Sequence, residues 1–557
     1  MRHRTVEESQ QQMTTIEHSG IDQDQRSALF GDGTIGSFFA AVADWATSTD
    51  HKKIGRLYAG MGMLALIGVA VIGALLGLER TDDASNILPA DSLLQLFQLH
   101  RVGLVFLVAI PLTLGLAVAV VPLQVGARAL AFARLALTGF YAWFAGAVLM
   151  IVALASNGGI GGGNAQMVDL FLAAHGLMIL GIAATAGCIA TTVLTTRAPG
   201  MTMRRVPFLT WSALIQALAL LVALPVMLGV VVYLFIDHRN AQLVFGGAEG
   251  IGSWIGLFFD QPVTYIYAIP ALGLLAEAAP VAFGKRHPMR QIVFAGIALV
   301  GIAALSAVTL QVDFATSFDG DGATVVKHLV VLAFFLGVPL LGGVIALATA
   351  LMVAKPDAGA KPSIRPISPL LFGLLATLML LLGMITGLLE DLSDLDLAGT
   401  VFAEGSAVLV IYAGALAALG GLVMWAPKLW GMQIPEKKVL PLALLGALAT
   451  VLAAVPHVIA GFSGQAGGVG TYDGDGASAA LNGIVLVGHA LMALTVLGVA
   501  GAIATSRGSG DGSTNPWCAH TVEWSTTSPA PADNFAAMPT VRSAEPELDQ
   551  TPEGSPS

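Results

Sequence analysis

Twelve apolar stretches run through this chain of 557 residues, each of roughly 20 residues or more, enough to cross about 30 Å of hydrocarbon at about 1.5 Å per helical residue. No other feature constrains the fold so tightly. A backbone surrounded by lipid must satisfy its own hydrogen bonds, so runs of this length become helices, and twelve of them become an all-α bundle. They lie at about 54–79, 97–122, 135–155, 167–195, 206–236, 251–283, 288–310, 326–354, 367–390, 401–427, 438–463 and 478–505. Composition agrees: 55% of residues are hydrophobic and 11% charged, more apolar and less charged than soluble domains.

Orientation follows from the cations. Arg56, Arg128, Arg134, Arg197, Arg204, Arg205, Lys285, Arg286, Arg290, Lys355, Lys361, Arg365, Lys428, Lys437, Lys438 and Arg507 fall on one side of an alternating twelve-span topology. Only Arg80, Arg101, Arg239 and Lys327 fall on the other. The positive-inside rule then predicts that both termini are cytoplasmic in a plasma-membrane protein. Acidic residues gather in the opposite loops, at Asp82, Asp83 and Asp91, at Asp313, Asp319 and Asp321, and at Glu390, Asp391, Asp394 and Asp396. The net charge of −10 therefore belongs mostly to the outer surface, and the expected surroundings are the lipid bilayer and other membrane subunits, not nucleic acid.

Three segments follow: a polar N-terminal segment, 1–53; the twelve-helix domain, 54–505; and a tail, 506–557, rich in Ser, Pro, Gly and acidic residues and expected to be partly disordered. The N-terminal segment lacks the short apolar core of a removable signal peptide. Cys188 and Cys518 lie too far apart in this topology to form a disulfide or a metal site. The glycine-rich loop Gly158 to Gly163 reads as a flexible connection, since no strand precedes it as a phosphate cradle would require.

Several motifs have family counterparts. Asp50 to Tyr58 enters the first span; Val121-Pro122-Leu123-Gln124-Val125-Gly126-Ala127-Arg128 follows the second; Arg197 to Met203, then Pro207 and Thr210-Trp211-Ser212, precede the fifth. Gln261-Pro262-Val263-Thr264-Tyr265 opens the sixth, continued by Pro270, Gly273 and Glu277. Trp425, Pro427, Lys428 and Gly431 close the tenth, and Asn515-Pro516-Trp517, Glu523-Trp524, Ser528-Pro529 and Asn534-Phe535 mark the tail. Over nearly its whole length the chain resembles haem-copper oxidase subunit I, the cytochrome c oxidase family. That resemblance implies a twelve-helix bundle, a respiratory-chain setting and, for working members, oxygen reduction coupled to proton pumping at haem and copper.

Set against the family's pattern, the ligands are mostly missing. His100 stands at one low-spin haem position, and its partner position is Ala407. The high-spin haem position is Gly405, and the copper positions are Gln261 and, within about one residue, Gln311 and Val312. An amide offers no basic nitrogen lone pair, so Gln261 cannot stand in for imidazole at copper. Of six ligand positions one keeps its histidine. The family's proton-path carboxylates and lysine align at Ala129, Val263 and Gly343, and the glycine-rich run Gly464 to Gly470 stands where its haem-propionate arginines would be.

The expectation is therefore a catalytically degenerate, structural or assembly-related subunit I-like protein without copper, with other respiratory-complex subunits as partners and His100 as the one residue able to hold a haem. Two alternatives remain open: an active terminal oxidase taking electrons from cytochrome c through non-standard ligands, and a transporter reusing the bundle, with Glu404 and Asp260 in a polar pathway. Glu404 is read as an unpaired carboxylate deep in the tenth span, either protonated or set in a polar cavity. Arg101, beside His100, is expected to crowd a porphyrin edge. His175, His457 and His489 are read as residues bonding across helices, and Tyr265 as an ordinary packed tyrosine.

Overall fold

The computed structural model describes residues 34–81, 88–244, 252, 254–256, 258–259, 261–309, 322–355, 367–468, 476–508 and 512–550. The chain divides into two units, Met1–Thr49 and Asp50–Ser557. In the first, Thr34–Ala46 is a helix. Among the described residues the second holds twelve helices long and apolar enough to cross a membrane. We number them α1 (His51–Glu79), α2 (Ser92–Gln124), α3 (Ala133–Ala155), α4 (Ala165–Thr195), α5 (Phe208–Arg239), α6 (Val263–Phe283), α7 (Arg290–Val308), α8 (Thr324–Ala354), α9 (Ile367–Glu390), α10 (Phe402–Met424), α11 (Glu436–Phe462) and α12 (Gly476–Thr505).

Helices α2, α6 and α10 are buried along almost their whole length, whereas the other nine keep an exposed face. Those three therefore form the centre, and the apolar faces of the rest are suited to lipid. Neighbours in sequence are mostly neighbours in space, and α12 returns to lie on α1. Small residues set the spacing, since lipid-embedded helices gain their attraction from close backbone approach. A methyl on Gly55 of α1 would sit 2.5 Å from the Gly115 carbonyl of α2, and one on Gly296 of α7 would sit 2.8 Å from the Gly342 carbonyl of α8.

Proline shapes α2. Pro111 has no N–H to give, and the preceding turn widens into a π-helix over Leu104–Ala109. The Phe106 carbonyl takes instead the indole N–H of Trp143, at 2.7 Å. Pro339 in α8 likewise follows a π-helical turn, Ala333–Gly337.

Two details depart from the sequence expectation. The sixth span is interrupted: residues 252 and 254–256 are helical, Phe258 and Phe259 form a turn, and the long helix starts at Val263 with a 3-10 stretch over Val263–Ala268. The glycine-rich loop is tied down: Gln95 Oε1 accepts from Gly159 N at 2.8 Å, while Gln98 accepts from Ile160 N at 2.8 Å and donates to its carbonyl at 2.7 Å. Two glutamines one turn apart on α2 thus read its backbone, so it is not a loose connection.

Tail residues 512–550 lie on the lysine- and arginine-rich end of the bundle; the expectation of disorder for 551–557 lies outside the described residues. Trp517 donates to the Met424 carbonyl at 2.8 Å. Asn534 accepts from Lys52 Nζ at 3.0 Å and donates to the Ala127 carbonyl at 2.8 Å. Val541 N donates to the Pro199 carbonyl at 2.9 Å. The tail and the Arg197 to Met203 loop therefore meet each other directly.

Candidate functional site

At the family's copper and high-spin haem positions, three helix ends converge. Gln261 enters α6, Ser406 lies in the first turns of α10, and Thr386 near the end of α9. Gln261 Nε2 donates to Ser406 Oγ at 3.2 Å, and the Ser406 and Thr386 hydroxyls are 2.8 Å apart. Tyr265 is fully buried, its hydroxyl 3.5 Å from the Met384 carbonyl. A methyl on Gly387 would fall within contact of the Tyr265 hydroxyl and 3.0 Å from Gln261 Cδ. The group is a small neutral hydrogen-bonded cluster with no imidazole in it.

Gly405 decides the fit. A methyl there would lie 2.6 Å from the Ala454 carbonyl oxygen, 3.0 Å from Val458 N and 3.1 Å from His457 Cβ, all on α11. Helix α10 thus meets the backbone of α11 where a family member would extend an imidazole toward iron. The residues present do not fit a ligated high-spin haem beside copper. Gln311, Val312 and Asp260 lie outside the described residues.

The low-spin haem position is filled differently. His100 is buried in α2, its Nε2 without a partner. Its ring meets that of His489 from α12 edge-on, with centroids 5.2 Å apart, and a methyl on Gly73 of α1 would lie 2.8 Å from His100 Nε2 and 2.8 Å from His489 Nδ1. His489 Nδ1 and the Tyr412 hydroxyl of α10 are 2.7 Å apart. Two touching imidazoles leave no slot for a porphyrin between them, and Ala407 brings no second ligand, so these residues do not fit a bis-histidine haem. Arg101 is exposed, and its guanidinium lies 5.8 Å from the Phe259 ring centroid.

Glu404 corrects the sequence reading twice. It lies in the first turn of α10, not deep within it, and it is paired. Arg80, just past the end of α1, donates to it through both terminal nitrogens at 2.9 and 3.1 Å, and Gly468 N adds a third bond at 3.1 Å. Such bidentate geometry is the strong form of the pair, and it clasps α1, α10 and the loop before α12. Sequence offered one hint: both residues fall on the cation-poor side.

The other histidines behave unlike one another. His489 bonds across helices as expected, but His175 does not; both its nitrogens lack partners, and its ring is surrounded by Phe106, Phe171 and Phe259. Of the family's proton-path positions, Ala129 is exposed, Val263 is buried, and Gly343 touches Leu381. The remaining carboxylate of α6, Glu277, accepts from Phe208 N at 2.7 Å and Leu209 N at 3.3 Å, capping α5.

A second polar centre, unexpected from sequence, joins the tail to the bundle. Buried Lys428 donates to the carbonyls of Thr514 at 2.7 Å and Thr526 at 2.6 Å, and its Nζ lies 5.2 Å from the Trp524 ring. Burial pulls its ammonium down to about 8, against Glu523 and Glu547. Glu523 accepts from Gln124 Nε2 and Trp425 Nε1, each at 3.1 Å, and burial pushes its carboxyl upward against those bonds. Among the described residues no group of three or more His, Cys, Asp or Glu is arranged to hold a metal ion.

Nine membrane helices around a buried trio, closed by a docked tail, define a polytopic protein of respiratory-oxidase architecture. The chain belongs to the family described as Cytochrome C and Quinol oxidase polypeptide I, whose profile matches residues 53–498. It is 28% identical over 543 residues to a cytochrome c oxidase subunit 1 of Alkalihalophilus pseudofirmus, covering 91% of this chain and 83% of that one. It is 28% identical over 528 residues to a cytochrome c oxidase subunit 1 of Corynebacterium glutamicum, covering 90% and 87%. A relative from Staphylococcus haemolyticus named "Probable quinol oxidase subunit 1" is 28% identical over 520 residues, covering 89% and 77%. Family membership and twelve apolar helices together place the chain in the plasma membrane as a multi-pass protein.

Proposed function

We propose that this chain is a non-catalytic member of its family, a structural or assembly component of a respiratory membrane complex that keeps the bundle and the docked tail without the haem-copper centre. The observation that carries the reading is Gly405. At the family's iron-ligand position there is no side chain, and the backbone of α11 stands within 2.6 Å of where one would begin. The amide of Gln261, bonded to Ser406, supports it at the copper position. Both termini are assigned to the cytoplasm by the distribution of Lys and Arg, which puts the tail platform on the side where partner subunits would meet it.

The active-oxidase alternative needs imidazole or thiolate at short fixed distances. The transporter alternative places Glu404 and Asp260 in a polar pathway, and the first of these is paired with Arg80. The test is direct. Protein purified from its native membrane should show no stoichiometric copper, no paired haem bands in a reduced-minus-oxidised spectrum, and no oxygen uptake with reduced cytochrome c. Copper near one per chain, or cyanide-sensitive turnover, overturns the proposal. Cross-linking in native membranes should capture a respiratory subunit through the tail.

A further inference from the structure

Beyond the question of catalysis, the end of the bundle opposite the docked tail contains an unexplained polar interior. Four helices supply it: His100 from α2, Tyr412 from α10, His457 from α11, and Asn482 and His489 from α12, with Arg80 after α1 and Glu404 of α10 at its rim. All five interior residues are buried. His489 and Tyr412 satisfy each other. The rest do not: His100 Nε2, both ring nitrogens of His457 and Asn482 Oδ1 have no hydrogen-bond partner. Asn482 lies beside His457 without reaching bonding geometry.

Each buried polar atom left unpaired costs about 1–3 kcal/mol, so four in one cluster demand an occupant. Its chemistry follows from the walls. Imidazole can donate or accept according to tautomer, whereas an amide oxygen only accepts; the occupant must therefore both donate and accept. It must also be small, because Gly73 already touches both His100 and His489. A metal ion does not suit, since among the described residues no three His, Cys, Asp or Glu are arranged to hold one, and a porphyrin does not pass between touching rings. Water meets every condition, as it does in polar interiors offering two to four partners.

We infer that this polar interior is a buried hydration site, holding water bonded to His100, His457 and Asn482 beside the His489–Tyr412 pair, with the Arg80–Glu404 pair as its mouth. The Glu404 side chain is 20% exposed, so the mouth stands at the solvent boundary. His457 lies five residues and Asn482 six from that end of their helices. Gly73 of α1, which touches His100 and His489, lies seven residues before Arg80, so at about 1.5 Å per residue the site reaches about 10 Å below its mouth. His175 supplies the contrast. Its nitrogens also lack partners, but three phenylalanine rings enclose them, and an apolar cage does not retain water.

Radiolytic hydroxyl-radical labelling of the purified full-length protein, read by mass spectrometry, tests this, because radicals formed from bound water oxidise the side chains beside it. His457, His489 and Tyr412 should be oxidised despite their burial, while His175 and Tyr58, the latter bonded to Thr185, should stay protected. Cluster residues as protected as those two controls overturn the inference. His457→Phe should abolish labelling of His489 and Tyr412 while helical circular dichroism is kept; labelling unchanged in that variant also overturns it. The wild-type comparison stands even if the variant does not fold. A haem spectrum on the same sample separates the outcomes: protection without haem sinks only the hydration site, and protection with haem sinks the non-catalytic reading as well.

Discussion

Gly405→Ala probes whether α10 and α11 can part at the position where the family holds iron. A methyl at Gly405 meets Ala454 O at 2.6 Å and Val458 N at 3.0 Å, both backbone atoms of a helix, which cannot swing aside as a flexible side chain would. The helices must separate or the contact must strain, and overpacking of this kind costs about 1–3 kcal/mol. Alanine also helps a helix by about 1 kcal/mol over glycine, which masks part of the loss. Gly187→Ala in α4 corrects for that, since a methyl there meets nothing within 4 Å. Difference between the two variants isolates the contact, and we expect Gly405→Ala to be the less stable by about 1–3 kcal/mol. Unfolding in mixed micelles by sodium dodecyl sulfate, followed by tryptophan fluorescence, measures it. Equal midpoints for the two variants would show that α10 and α11 yield easily, so that an imidazole at this position would have room, and the argument for a closed haem site would fail.

Breaking the rim pair should cost more: Arg80→Met or Glu404→Met alone is expected to destabilise by about 3–5 kcal/mol, and the double variant by less than either; additive losses in the same assay would mean the two groups do not stabilise one another. Docking of the tail should weaken in acid. Burial, with Arg286 nearby, pulls the His520 imidazole from its ordinary 6.5 down to about 4, so the undocked chain binds the extra proton first, and stability present above pH 6.5 is lost as pH falls toward 4. Limited proteolysis of the tail across that window should show the loss, and His520→Gln should flatten it; an unchanged profile in the variant refutes the assignment. For orientation, a cysteine at Asn240 should react with an impermeant thiol reagent added outside cells and one at Arg204 should not, the reverse pattern refuting the cytoplasmic termini.

The helix count was legible because a span is a local property: apolar length and the alternation of Lys and Arg are both written along the chain. The α6 start was not, since Trp254 and Ile255 are helical but the buried Phe258 and Phe259 form a turn before Val263, and hydropathy does not separate a buried turn from a helix. Loss of the ligand at Gly405 could be read by matching motifs, but the Ala454 carbonyl that stands against it is a backbone atom without any sequence signature. Arg80 and Glu404 were each visible; 324 residues separate them, and only the fold brings α1 beside α10. Gln95 and Gln98 carry the same lesson, because side chains that hold a loop's backbone look like any other polar residues on a helix.

Polar residues are costly inside a bundle unless they bond, and this chain handles that cost in three different ways at its two ends. At the copper position an amide N–H and two hydroxyls bond one another at 2.8 to 3.2 Å, a neutral group in place of an imidazole, with Gln261 Oε1 left without a partner. At the tail end Glu523 and Lys428 are buried but held by indole, amide and carbonyl partners, so burial there is compatible with a rigid docking platform. In the histidine interior behind Arg80 and Glu404 four atoms are left over together: His100 Nε2, both ring nitrogens of His457 and Asn482 Oδ1. A protein kept solely as a folded scaffold would gain stability from Leu or Phe at His457 and Asn482, since replacing unsatisfied polar groups by apolar ones of similar shape is neutral or favourable. Retaining them makes sense if something mobile and polar fills the space, which is why the labelling of His457 discriminates between an inert core and a hydrated one.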